Sequence, residues 1–215
     1  VLCWARTPGP PPFNPSRSTL GSPHRPDSLR RDLLLVTVAA LLMRALAWAL
    51  LSRTVFFDTP VVDASQFDLW ARALAEGREF QPGPYFKPPL YPHLLSTLYR
   101  LGLGLRGVYA VQALAGTATA LLTTVVAYRV LTPRGARTAG LVAALLPILP
   151  FFEFQLLAES WTTLLTMVAV SWLLTGLTRE DVALDRACAA AGAALGLAAL
   201  GRPNLLLVIA AVAVW

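Results

Sequence analysis

Charge is scarce in this chain. Only 14% of its 215 residues are Asp, Glu, Lys or Arg, against 56% hydrophobic, whereas about a quarter of an average soluble domain is charged. So few charges cannot cover a water-facing surface. Cysteine is scarcer still: Cys3 lies in a polar tail and Cys188 in an apolar run, which excludes a disulfide framework and a cysteine-built metal site. Residues 1 to about 30 have no apolar core of the kind a signal peptide needs. The net charge of +6 is mostly arginine at the ends of apolar runs, so there is no basic face of a folded domain for nucleic acid to bind.

What the chain does have is long apolar runs. A helix needs about 20 apolar residues to cross a bilayer. Runs of that order extend from Leu33 to Leu51, Val108 to Leu131, Thr138 to Phe152, Trp161 to Leu177 and Arg186 to Leu200, and a sixth starts near Pro203. The fold class read from them is an all-α polytopic membrane protein embedded in a lipid bilayer. Residues 1–32, rich in Pro, Ser and Arg, bury too little apolar surface to offset their ordering entropy and are expected to form a disordered cytoplasmic tail. Residues 33–215 are expected to form the membrane domain. The chain opens on Val1 and stops at Trp215 inside an apolar run, so a longer parent is expected, with this part inactive alone. Arg44, near the middle of the first run, has to face protein or water. Pro147 and Pro150 should bend or end the third run, and Gly192 and Gly196 are spaced for close helix packing in the fifth.

Short loops set orientation. RVLTPRGAR carries Arg129, Arg134 and Arg137 with no acid, while FFEFQLLAES carries Glu153 and Glu159 with no Lys or Arg. The first loop is expected on the cytoplasmic side of the plasma membrane, together with Arg25, Arg30 and Arg31. Counting runs then brings Asp58, Asp63, Lys87, Glu153, Glu159 and Arg202 to the external face.

The long loop between the first two runs holds PVVDASQFDLWARALAEG, residues Pro60 to Gly77. Phe67, Trp70, Ala71 and Leu74 follow helical spacing, which predicts a short helix lying at the membrane surface with Trp70 at the interface and Gly77 as its stop. Asp63 followed by Gln66 fits a capping box, so Asp63 is either a cap or a catalytic residue. Next, GPYFKPPLYPHLLSTLYRL forces an extended path and then a second short helix, from about Pro92 to Leu101. Lys87, pinned before Pro88, is either a fixed cation for an anionic head group or a lysine snorkelling to lipid phosphates. His93, with no Cys or His near it, reads as a packed or surface histidine.

DASQFDLWARALAEG and YFKPPLYP, followed in order by LLAESWTTLL and LAALGRPNLLL, resemble the GT-C membrane glycosyltransferases. The resemblance is to the family 39 and RgtA/B/C/D-like group, relatives of which are the protein O-mannosyltransferases and the lipid A aminoarabinose transferases. It covers about Leu33 to the end. It implies a GT-C-like helix bundle using a polyprenyl-phosphate sugar as donor on the external side of the membrane. In the family the first-loop aspartate is the general base, and Asp63 is the matching position. The lysine of its Lys-Pro-Pro segment, near the donor phosphate, matches Lys87, and Arg202 falls where relatives often carry a basic residue near the lipid phosphate. Tyr85, which opens the Tyr-x-x-Pro-Pro segment, and Asp58 stand as further substrate-binding candidates. Two positions depart from the pattern. Ala64 follows Asp63 where the mannosyl- and aminoarabinosyl-transferases have Glu, and Phe86 precedes Lys87 where the aminoarabinose group has Glu. Both argue against a metal, and no cofactor is expected.

The chemistry agrees with these residue types. An acceptor hydroxyl of a glycolipid, polysaccharide or protein loses its proton as it attacks the anomeric carbon, and a positioned carboxylate can take it. Fixed cations stabilise the leaving polyprenyl phosphate. A single carboxylate with no nucleophilic partner implies inversion, by analogy with the glycosidases. Glu159 is either a ligand for substrate hydroxyls or a helix-start acid. The competing class is a transporter or lipid flippase, which would place ionisable groups at mid-membrane and break helices in matched pairs.

Overall fold

The computed structural model describes residues 26–78, 87–178 and 184–214, and among these it has ten helices and no strand. Four are long and apolar enough to cross a membrane: α1 (Pro26–Leu51), α5 (Leu105–Val130), α8 (Glu159–Thr178) and α9 (Leu184–Gly201). Their surfaces reverse the pattern of a soluble protein. On α1, Leu34, Leu42 and Leu50 are exposed while Val36, Ala40 and Ala47 are buried, and α5 buries Gln112, Gly116, Thr119 and Thr124. Small and weakly polar residues fill the contacts and large apolar ones face outward, as expected where lipid tails are the solvent.

α1 begins at Pro26, so residues 26–32, expected in the tail, are helical. Proline suits a first helical turn because its missing N–H has no partner there, and Asp27 favours that end of the dipole. Asp32 anchors the extension: it is buried, accepts from Tyr128 Oη, and takes a 2.7 Å bond from Arg137 Nε.

The third expected run is not one helix. α6 (Pro133–Leu145) and α7 (Ile148–Glu153) are separated at Leu146, whose backbone is extended (ψ 112°). Pro147 causes the break, because a residue before proline is pushed out of the helical region. At 13 residues α6 is about 20 Å long, short of a hydrocarbon core of about 30 Å. α10 (Leu205–Val214) follows Pro203.

The bundle alternates direction. At one end, the start of α1 meets the end of α5 and the start of α6 through Asp32, Tyr128 and Arg137, and Arg129 Nη1 donates to Ser171 O of α8 at 3.0 Å. At the other end lie the close of α1, the start of α5, α7, the start of α8 and the close of α9. The short helices α2 (Val55–Asp58), α3 (Asp63–Ala75) and α4 (Leu90–Arg100) are seated there. Trp48, Phe57, Tyr109 and Phe154 form the aromatic core of this loop end. Tyr109 Oη donates to Phe57 O at 3.2 Å, Tyr91 Oη to Gln112 Oε1 at 2.6 Å, and Gln112 Nε2 to Glu153 O and Gln155 O at 2.6 and 2.8 Å.

Packing on α9 differs from expectation. A Cβ built on Gly192 or Gly196 would meet nothing within 4 Å. The buried stripe is Ala187, Ala191, Ala194, Leu195 and Ala198 instead. Close approach is made at Gly201, whose Cβ would lie 2.7 Å from Thr162 Cγ2 and 3.2 Å from Leu90 Cδ2.

Candidate functional site

α3 buries Phe67, Trp70 and Ala71, the face read from the spacing, with Leu74 half-buried. The partner of that face is α4 rather than lipid. Trp70 is buried, with its ring 6.4 Å from that of His93, and it is not an interfacial anchor. Asp68 accepts from Tyr99 Oη and, at 3.0 Å, from Arg72 Nε, and Arg72 lies 5.0 Å from the centre of the Tyr99 ring. Gly77 ends the helix with φ +73°, and Arg78 N reaches back to Ala73 O at 2.8 Å, the left-handed cap expected of glycine.

The capping box does not form. Asp63 is the first residue of α3, the position before it is Val62, and no side chain caps the helix. Val62 has φ +52°, a conformation a β-branched residue adopts only under strain. Such strain persists where the surroundings over-determine it. Here the Asp63 carboxylate is engaged elsewhere: its Oδ1 accepts from Lys87 Nζ at 2.6 Å. The Lys87 side chain is only 16% exposed, against 62% for Asp63, and its ammonium lies 5.1 Å from the centre of the Phe67 ring. The cation is therefore held between a carboxylate and an aromatic face, with Pro88 and Pro89 leading directly into α4.

Arg202 follows the close of α9 and pairs with Glu159 in the first turn of α8. The contact of Gly201 with Leu90 and Thr162 puts this pair beside the start of α4, whose chain enters from Lys87. The fold thus brings Asp63, Lys87, Glu159 and Arg202 to one end of the bundle, as two ion pairs on neighbouring elements. Asp58 is there as well, at the close of α2. Arg106 in the first turn of α5 holds it in a fork, Nε to Oδ1 at 3.2 Å and Nη2 to Oδ2 at 3.0 Å. The hydrogen bond from Arg106, aided by its charge, lowers the Asp58 carboxyl below its ordinary value. Tyr85 lies outside the described residues.

An apolar cavity of about 260 Å³ opens beneath the segment from Asp58 to Asp63, lined by Leu51, Phe57, Pro60, Ala64, Tyr109 and Phe154 among others. A groove of about 310 Å³ runs beside the second pair, with Glu159, Thr163, Thr166, Met167, Arg202 and Asn204 on its walls. Among the described residues, no group of three or more His, Cys, Asp or Glu side chains is placed to hold a metal ion.

Two partnerships were not read from the sequence. Arg106 was not singled out, although an arginine opening a run after the long loop is a visible signal. Arg44 was required to face protein or water, and it does: it is 3% exposed and its Nη2 donates to Glu153 Oε1 at 2.6 Å. The combination of a mid-run arginine and a lone acid after two prolines could have suggested the pair.

Comparison with family models, curated proteins and solved structures returned no match.

Proposed function

We propose that this chain is a GT-C-like membrane glycosyltransferase domain. It moves a sugar from a polyprenyl-phosphate donor to an acceptor hydroxyl, with Asp63 as general base and no metal. The observation that carries this reading is the Asp63–Lys87 contact, built on short helices over an apolar cavity at the end of a membrane bundle. A lipid-linked donor needs an apolar surface for its chain and a cation for its phosphate, and the acceptor needs a base close to that cation.

The pairing suggests an order of events. The donor phosphate carries more negative charge than a carboxylate and competes for Lys87. Once the ammonium turns to the phosphate, Asp63 loses its partner and can take the proton of the attacking hydroxyl. Lys87 and Arg202 then neutralise the leaving phosphate. Direct attack with one carboxylate inverts the anomeric centre. The loop end faces the external side in this reading, since Arg30, Arg31, Arg129, Arg134 and Arg137 gather at the other end.

The buried Arg44–Glu153 pair favours a second reading. A charge pair inside a spanning bundle also suits a transporter or lipid flippase. The test is to express the protein in membranes with a panel of polyprenyl-phosphate sugars, comparing wild type with Asp63→Asn at equal abundance. Donor consumption by wild type and a loss of about 10²-fold or more in the variant support the transferase. Equal consumption removes Asp63 from catalysis. Movement of lipid or solute with no donor consumed supports the transporter.

A further inference from the structure

Between α5, α7 and α8 lies a recess of about 170 Å³, lined by Gly116, Thr119, Glu153, Glu159, Ser160 and Thr163 among others. Three of these residues carry buried polar atoms with no hydrogen-bond partner: Glu153 Oε2, Glu159 Oε2 and Ser160 Oγ. Buried polar groups are paired in the large majority of cases, and leaving one unpaired is costly. Three around one recess call for a ligand that supplies the missing bonds. The Glu153 side chain is only 3% exposed, so open solvent does not supply them.

The charges around the recess narrow the ligand class. Glu153 gives its other oxygen to Arg44 and Glu159 gives its other oxygen to Arg202. Each carboxylate is thus already neutralised by an arginine, so the recess has little net charge to attract a cation. It is rich in acceptors, and the Ser160 hydroxyl can both donate and accept. A neutral group bearing several hydroxyls fits this chemistry. Glu159 and Thr163 also line the neighbouring groove that carries Arg202, so the recess adjoins the cation assigned to the lipid phosphate.

We infer that this recess is the compartment for the donor's sugar ring, with Glu153 and Ser160 reading its hydroxyls and Glu159 at the junction with the phosphate groove. This deepens the transferase proposal and rests on it for the identity of the ligand. It also identifies Ser160 and Glu153 as specificity-determining residues.

The test measures Kd for purified wild type in nanodiscs with two probes, decaprenyl phosphate and its glycosylated form, using one hexose and one pentose. The ratio of the two constants isolates what the sugar adds. Ser160→Ala removes a hydroxyl, and Thr163→Leu narrows the junction at an exposed position that tolerates the change. The sugar-free lipid should bind wild type and Ser160→Ala alike, while the sugar's added affinity falls about tenfold in both variants, equivalent to about 1.4 kcal/mol. An unchanged ratio in both variants overturns the recess even if the protein is a transferase. If wild type binds neither lipid, the transferase reading fails, and free monosaccharides at millimolar concentration decide the recess. A thermal shift with a sugar that Ser160→Ala abolishes retains the recess, and no shift overturns it.

Discussion

Cutting the Arg44–Glu153 pair from one side should be far more damaging than removing it whole. Both side chains are 3% exposed and 2.6 Å apart, and Arg44 Nη1 is also fixed on Ala40 O at 3.2 Å. In Arg44→Met, Glu153 is left as a buried acid with no cation; breaking such a pair costs about 3–5 kcal/mol. For a chain of this length each kcal/mol moves the midpoint by about 2–4 °C, so the loss should be roughly 6–20 °C. In the double variant Arg44→Met/Glu153→Leu no charge is stranded, and apolar replacement of a buried pair is neutral or stabilising by about 1–4 kcal/mol. Thermal unfolding of wild type, both single variants and the double in one detergent gives the coupling directly. If each single variant loses less than about 1 kcal/mol and the losses add in the double, the pair behaves as a solvated surface bridge. That result would refute the burial of the pair between α1 and α7.

Gly116→Ala should prevent recovery of folded protein or lower its midpoint sharply, because the new Cβ would collide with Glu153 Oε1 and lie 2.6 Å from Arg44 Nη2. Gly192→Ala, with nothing within 4 Å of its Cβ, should instead stabilise α9 by about 0.5–1 kcal/mol in the same assay. Asp58→Asn should keep donor consumption within a few-fold of wild type, since Asp63 and not Asp58 is the proposed base; a loss matching that of Asp63→Asn would move the base to Asp58. The Asp58 carboxyl is lowered in the folded state, so any stability it lends is present above its unfolded value and is lost as pH falls through the folded one. The difference in melting temperature between wild type and Asp58→Asn should therefore shrink on going from pH 7 to strongly acid solution.

Local pattern made the elements legible, while partnership depended on the whole fold. Helical spacing picked the buried face of α3, and Gly77 marked its end, because both are set within a few residues. What covers that face is decided by α4, which no window containing Trp70 includes. Asp63 shows the same limit more sharply. A capping box needs only Asp63 and Gln66, yet Lys87, 24 residues on, takes the carboxylate. Gly192 and Gly196 misled because α9 is rich in small residues on every side, so spacing alone does not choose its contact face. The break between α6 and α7 could be seen in advance because Pro147 acts on its immediate neighbour. The gathering of acids and cations at one end was also legible, since counting alternate spans requires no knowledge of which residues touch.

That gathering has a consequence for binding. Lys87, Arg202 and Arg106 each meet a carboxylate at the loop end, so an anion that engages any of these three has to displace a carboxylate. Each of the Asp63–Lys87 and Glu159–Arg202 pairs has one exposed partner, which makes them easier to exchange for charge-assisted bonds to phosphate than a fully buried pair. On the proposed transferase reading, each exchange also releases an acceptor beside the donor: Asp63 for the attacking hydroxyl's proton and Glu159 for a sugar hydroxyl. The Arg44–Glu153 pair cannot take part in this way, because burial makes its separation cost several times more. The loop end therefore combines exchangeable pairs at its rim with one fixed pair beneath them. A ligand can rearrange the rim while the bundle that positions it stays intact.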